Sequence, residues 1–89
     1  MKIKEGFVLT DVGDSKIAVA VGETAKEFKG IVRLNETGAF IWNCISEGLN
    51  KEEVAEKLVN EYEGVDFTTA LESVEEMIEK LKKDKIIEE

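Results

Sequence analysis

Side chains able to do covalent or proton chemistry are few in this 89-residue chain, which has no histidine and one cysteine, Cys44. That inventory removes zinc sites built on His and Cys, haem ligation by His, and Cys-His or Ser-His nucleophilic pairs. A single thiol forms no internal disulfide. General acid-base work falls to Asp, Glu, Lys or Tyr62, and no spacing among them marks a site. No glycine loop is built to cradle a phosphate. Glu75, Glu76 and Glu79 read as the exposed face of a helix rather than as a metal site. Cys44 sits on an apolar stripe and reads as a small buried hydrophobe. An enzyme acting alone is therefore the weakest reading, no cofactor is expected, and the remaining chemistry is that of binding.

The elements that would position a binding surface begin with two strand-like segments, Phe7–Val12 and residues 15–21, joined by Gly13-Asp14, a dipeptide suited to a tight hairpin. On the second, Ile17, Val19 and Val21 point one way and Ala18 and Ala20 the other, so both faces are apolar and one is shallow. After the loop GETAKE a third strand is predicted over residues 28–34, with Phe28, Gly30, Val32 and Leu34 on one face and Lys29, Ile31 and Arg33 on the other. A three-stranded antiparallel meander is the simplest arrangement.

Asn35 ends that strand and can cap a helix whose stripe is Phe40, Ile41, Cys44 and Ile45, with Trp42 at its flank and Gly48 as its stop. Asn50 and Glu53 have the spacing of a capping box for a second helix, with Val54, Ala55, Leu58, Val59 and Tyr62 apolar and Gly64 as terminator. A third helix is predicted over 68–83, capped by Asp66 or by Thr69 with Glu72. Its main stripe is Leu71, Val74, Ile78 and Leu81, with Ala70, Ser73 and Met77 beside it. Lys80, Lys82, Lys83 and Lys85 crowd its C-terminal end, where cations suit the helix dipole. Three strands followed by three amphipathic helices give an α+β, winged helix-turn-helix-like domain over residues 1–89.

A chain this short buries only roughly 60–65 % of its unfolded surface, so a large internal cavity is not expected. With 43 % hydrophobic and 36 % charged residues the composition is that of a soluble domain, and no apolar run or signal-like segment appears. A cytoplasmic place and no membrane partner are expected. Net charge is −8. Residues 1–46 hold six acidic and six basic side chains and residues 47–89 fourteen and six, so the C-terminal part carries the whole excess. A polyanion is repelled by that part, and no nucleic acid is expected as partner.

The segment L-N-x-x-G-x-x-I-W, here Leu34, Asn35, Gly38, Ile41 and Trp42, resembles the signature of PqqD-like proteins. This is the coenzyme PQQ synthesis protein D family, also called RiPP recognition elements. The likeness extends from about residue 6 to 88 through the Gly48 break, the capped second helix and the terminal L-K-K-D-K-I-I. It implies a non-catalytic domain that binds the leader of a ribosomally made precursor peptide and presents it to a modifying enzyme, often a radical SAM maturase. The leader is expected to add beside the third strand and to lie against the third helix. Carried onto this chain, that groove is walled by Phe28, Lys29, Gly30, Ile31, Val32, Arg33 and Leu34 and by Ala70, Ser73, Val74, Met77, Lys80 and Leu81. Both a monomer and a strand-exchanged homodimer are compatible with this reading.

Physical chemistry agrees with such a groove. An edge strand offers unpaired N–H and C=O groups that a guest strand satisfies. Gly30 suits close approach of another backbone, or marks a bulge. Met77 is an adaptable apolar wall. Lys29, Arg33, Lys80 and Lys83 suit a leader carboxylate. The same cations also read as an edge guard and a solvated helix end, and Trp42 as a core aromatic. A winged-helix DNA-binding regulator is the alternative. It meets the obstacle that the second helix carries Glu52, Glu53, Glu56 and Glu61 against Lys51 and Lys57. A further alternative is an assembly subunit for a partner enzyme with no peptide product. The peptide reading requires that the chain itself leave the third strand's edge uncovered.

Overall fold

The computed structural model describes residues 2–28 and 30–88. In chain order these form β1 (Lys2–Ile3), β2 (Phe7–Val12), β3 (Ser15–Ala20), α1 (Thr24–Glu27), β4 (Ile31–Leu34), α2 (Glu36–Ser46), α3 (Lys51–Glu61), α4 (Phe67–Lys83) and β5 (Ile87–Glu88). Gly13-Asp14 makes the expected hairpin, with Gly13 at φ +60, and Val12 faces Ser15 across it. β4 pairs antiparallel with β3, so the sheet order is β2-β3-β4. The α+β architecture expected from the strand-then-helix pattern is the one observed.

Three helix starts obey the capping rules read from the sequence. Asn35 Oδ1 accepts from the Gly38 N–H at 2.7 Å. Asn50 and Glu53 form a reciprocal capping box, each side chain accepting from the other's backbone N–H. Asp66 caps α4 by accepting from the Thr69 N–H at 2.7 Å, and that bond holds its carboxyl below the usual carboxylate range.

The motif around Asn35 now has a physical explanation. A Cβ on Gly38 would lie 3.1 Å from the capping Asn35 Oδ1 and 3.5 Å from Leu34 Cδ2, so a side chain there would press on the cap and push its oxygen by a few tenths of an ångström. One turn on, Ile41 and Trp42 are both buried. Trp42 is a core residue and meets the Phe7 ring edge-on at 5.9 Å, and Phe7 meets Phe28 in turn at 5.3 Å. Cys44 is buried as well, and burial pushes its thiol pKa up.

α2 and α4 end in the same way. After α2 the Leu49 N–H reaches the Cys44 carbonyl and the Gly48 N–H that of Ile45; after α4 the Ile86 N–H reaches Leu81 and the Lys85 N–H reaches Lys82. Both are Schellman closures, with the left-handed position held by Gly48 (φ +90) and Lys85 (φ +62). The second folds Ile86 into the core at 0 % exposure and delivers β5 to β1, with Ile3 opposite Ile87.

Several expectations shift. β4 starts at Ile31, not Phe28, whose ring turns toward Phe7 instead. The loop GETAKE contains the one-turn helix α1. On α4 the buried stripe is Ala70, Val74, Ile78 and Leu81, with Leu71 half-buried. The sheet buries its shallow face: Ala18 and Ala20 point inward, while Ile17 and Val19 lie on the outer face. Small side chains there let α2, which carries the large Ile41, Trp42 and Ile45, approach β3 closely. No helix among the described residues is long and apolar enough to cross a membrane.

Candidate functional site

The pairing pattern fixes which backbone groups of the sheet remain free. A two-residue hairpin makes Val12–Ser15 a pair that exchanges both hydrogen bonds, and such pairs recur at every second residue. The Val21 N–H donates to the Gly6 carbonyl at 2.7 Å, in the same phase. Ser15, Ile17 and Val19 therefore spend their backbone groups on β2, and Lys16 and Ala18 spend theirs on β4. The partners of Lys16 and Ala18 are Leu34 and Val32. Ile31 and Arg33 consequently aim their N–H and C=O groups away from the sheet. Among the described residues β4 pairs with β3 alone, so that edge is uncovered.

Beside this edge runs a groove of about 380 Å³ between β4, the first turn of α2 and α4. Asn35 positions one end, because its cap starts α2 directly where β4 stops. Val32 and Leu34, on the inner face of β4, and Ile41 of α2 line the apolar part. From α4 come Ser73, Glu76, Met77, Lys80 and Leu81, residues spaced to fall on one side of the helix. Arg33 stands at the rim on the outer row.

Seven of the residues expected from the sequence are thus brought together: Val32, Arg33, Leu34, Ser73, Met77, Lys80 and Leu81. Ala70 and Val74 are not among them; at 1 % and 0 % exposure they hold α4 to the core. Phe28 lines a separate cavity of about 330 Å³ with Phe7, Lys4 and Lys85. Gly30 is exposed, and Ile31 presents its side chain to the outer face at 51 % exposure. Lys29 lies outside the described residues. Lys83 is exposed and does not line the groove.

Asn35, Thr37, Gly38, Ile41 and Glu76 also line it. Asn35, Thr37 and Gly38 belong to the strand-to-helix junction, and a strand that runs straight into a capped helix already implies that the helix's first turn lies beside the strand's end. Glu76 sits one turn from Ser73 and Lys80 on α4, so it could have been placed by helical spacing.

The described cations divide into paired and unpaired ones. Lys4, Lys16, Lys26, Lys51 and Lys57 each pair with a carboxylate. Arg33 and Lys80 have no such partner among the described residues, and neither have Lys2, Lys83 and Lys85, which lie outside the groove. Two unpaired cations therefore face one groove in a chain of net charge −8, with Glu76 as the one acidic residue lining it. Among the described residues no group of His, Cys, Asp and Glu is gathered to hold a metal. The arrangement offers an extended edge, an apolar floor and positive rims, which suits holding an elongated chain.

Two solved structures share the fold. One is described as "TbiB1 in Complex with the TbiA(beta) Leader Peptide", at TM-score 0.78 and 24 % identity over 99 % of this chain and 95 % of that one. The other is described as "Lasso peptide synthetase B1 complexed with the leader peptide", at TM-score 0.73 and 22 % identity over 93 % and 91 %. No curated relative matches the chain. The family model for Coenzyme PQQ synthesis protein D (PqqD) matches residues 7–87. That span contains the sheet, the three long helices and both walls of the groove, and the chain belongs to the PqqD family.

Proposed function

We propose that this protein is a non-catalytic adaptor. It captures the leader of a ribosomally synthesised precursor peptide by strand addition along β4 and presents it to a modifying enzyme, for which a radical SAM maturase is the class the family resemblance implies. The observation that carries the reading is the uncovered edge at Ile31 and Arg33 lying directly over a groove walled by α4. An added strand satisfies those free N–H and C=O groups whatever its sequence, and its alternate side chains enter the groove. Both similar structures are described as complexes with leader peptides, and family membership points the same way. Precursor peptide, adaptor and maturase would meet in the cytoplasm.

The test is a titration of isotope-labelled protein with a synthetic leader encoded beside its gene. Amide shifts are expected to concentrate at Ile31–Leu34 and along the Ser73, Met77 and Leu81 side of α4. The reading fails if those amides stay still while a cognate leader is modified at full rate without this protein.

A further inference from the structure

Resting on the strand-addition reading, we infer that the guest carries a carboxylate side chain opposite Arg33 and apolar side chains opposite Val32 and Ile31. The free edge sets the geometry. A guest that bonds to the outward N–H and C=O groups of Ile31 and Arg33 places the residues directly opposite them on the outer face of the sheet, beside those two side chains. The residue between them, opposite Val32, points inward to the groove. In an antiparallel guest, which continues a sheet already antiparallel throughout, the three read acidic, apolar, apolar from N- to C-terminus.

The outer face supplies the charge argument. Its paired positions are Val8, Thr10 and Val12 on β2, Ser15, Ile17 and Val19 on β3, and Ile31 and Arg33 on β4. Arg33 is the one charged side chain of that set, its cross-strand neighbour is Ile17, and among the described residues it has no carboxylate partner. In a chain with 20 acidic residues, an unpaired guanidinium at the open edge fits an anion that arrives with the guest. Two residues back along β4 the outer row changes character: Ile31, Val19 and Val8 lie side by side across the three strands, and a guest apolar residue opposite Ile31 extends them. The inner position is different again. Val32, Met77, Leu81 and Ile41 make it apolar, and Glu76 opposes a carboxylate there. The acid therefore belongs on the outer row, not inside the groove.

An edge-guard role for Arg33 predicts indifference to the guest's charge, which makes the two roles separable. The probes are two capped twelve-residue peptides on one Ser/Thr template, with a central Glu-Val-Ile in one and Lys-Val-Ile in the other. Affinity is measured by titration calorimetry at low salt, and placement by the Ile31 and Arg33 amide shifts. The Glu peptide is expected to bind about fivefold more tightly than the Lys peptide, the difference shrinking with added salt. Arg33→Glu is expected to reverse the order and Arg33→Gln to abolish it. Equal binding of both peptides, with the Ile31 and Arg33 amides shifting, overturns the charge assignment and leaves strand addition standing. No shift with either peptide at millimolar concentration overturns both.

Discussion

Proline at two adjacent positions of β4 separates the free edge from the paired one. Ile31→Pro removes an N–H that points away from the sheet, at the first residue of the strand, where proline is tolerated. The preceding Gly30 has no Cβ to clash with the ring, and the Ile31 side chain is 51 % exposed, so little burial is lost. The expected cost to folding is about 1 kcal/mol or less. Val32→Pro instead removes an N–H that serves Ala18 of β3, orphans a buried acceptor and disturbs a side chain that is 6 % exposed. That costs about 2–4 kcal/mol. Peptide binding shows the opposite contrast. Ile31→Pro deletes one hydrogen bond to the guest and leaves a guest carbonyl unpaired, together about 2 kcal/mol, or about thirtyfold in Kd. Urea denaturation reads the first quantity and calorimetric titration of the leader peptide the second. If Ile31→Pro unfolds the protein as Val32→Pro does, the hydrogen-bond phase assigned to β4 is wrong. If it folds and binds the leader undiminished, the guest does not sit on this edge.

Three further outcomes follow from the closures and caps. Lys85→Gly relieves a side-chain-bearing residue at φ +62 and is expected to stabilise the domain by about 0.5–1 kcal/mol, seen as a rise in Tm of a few degrees. Asp66 has a folded pKa below its unfolded one, so its contribution is present above the unfolded value and is lost as pH falls through the folded value. Asp66→Asn, which keeps a capping oxygen but cannot ionise, should therefore lower stability slightly at neutrality and flatten the profile as pH falls below the unfolded carboxylate value. Cys44, 4 % exposed and with its thiol pKa raised by burial, should resist a maleimide reagent in the native protein and react fully in urea.

How much of this was legible beforehand depended on how local the signal was. Asn35, Asn50 with Glu53, and Asp66 act within one turn of their own positions; the first two caps could be read directly, and Asp66 was one of two candidates for the third. The Gly13-Asp14 hairpin is equally local and sets the hydrogen-bond phase of β3, but that Ile31 and Arg33 are the residues freed follows only with the β3–β4 register. What escaped reading was decided by distant partners. β1 and β5 are two residues each, too short for any periodicity, and exist because Ile3 finds Ile87. Both faces of β3 are apolar, so alternation could not say that the alanine face is the buried one; the bulk of α2 decides it. Ala70 and Val74 lie next to the groove-lining positions on the helical wheel, and a rotation of α4 by less than one residue's angle places them in the core. The apolar floor at Ile41 required knowing that α2 turns back beside the strand it follows.

The seam between β1 and β5 puts Lys2 opposite Glu88, so the two extremities of the described chain depart from one spot. A short linker could therefore join them, and a circular permutant opened at the Gly13-Asp14 tip would keep every helix in its place. By the same geometry, a second polypeptide tethered to either extremity starts from a common anchor. A short flexible tether holds such a passenger at an effective concentration on the order of millimolar, whichever extremity carries it.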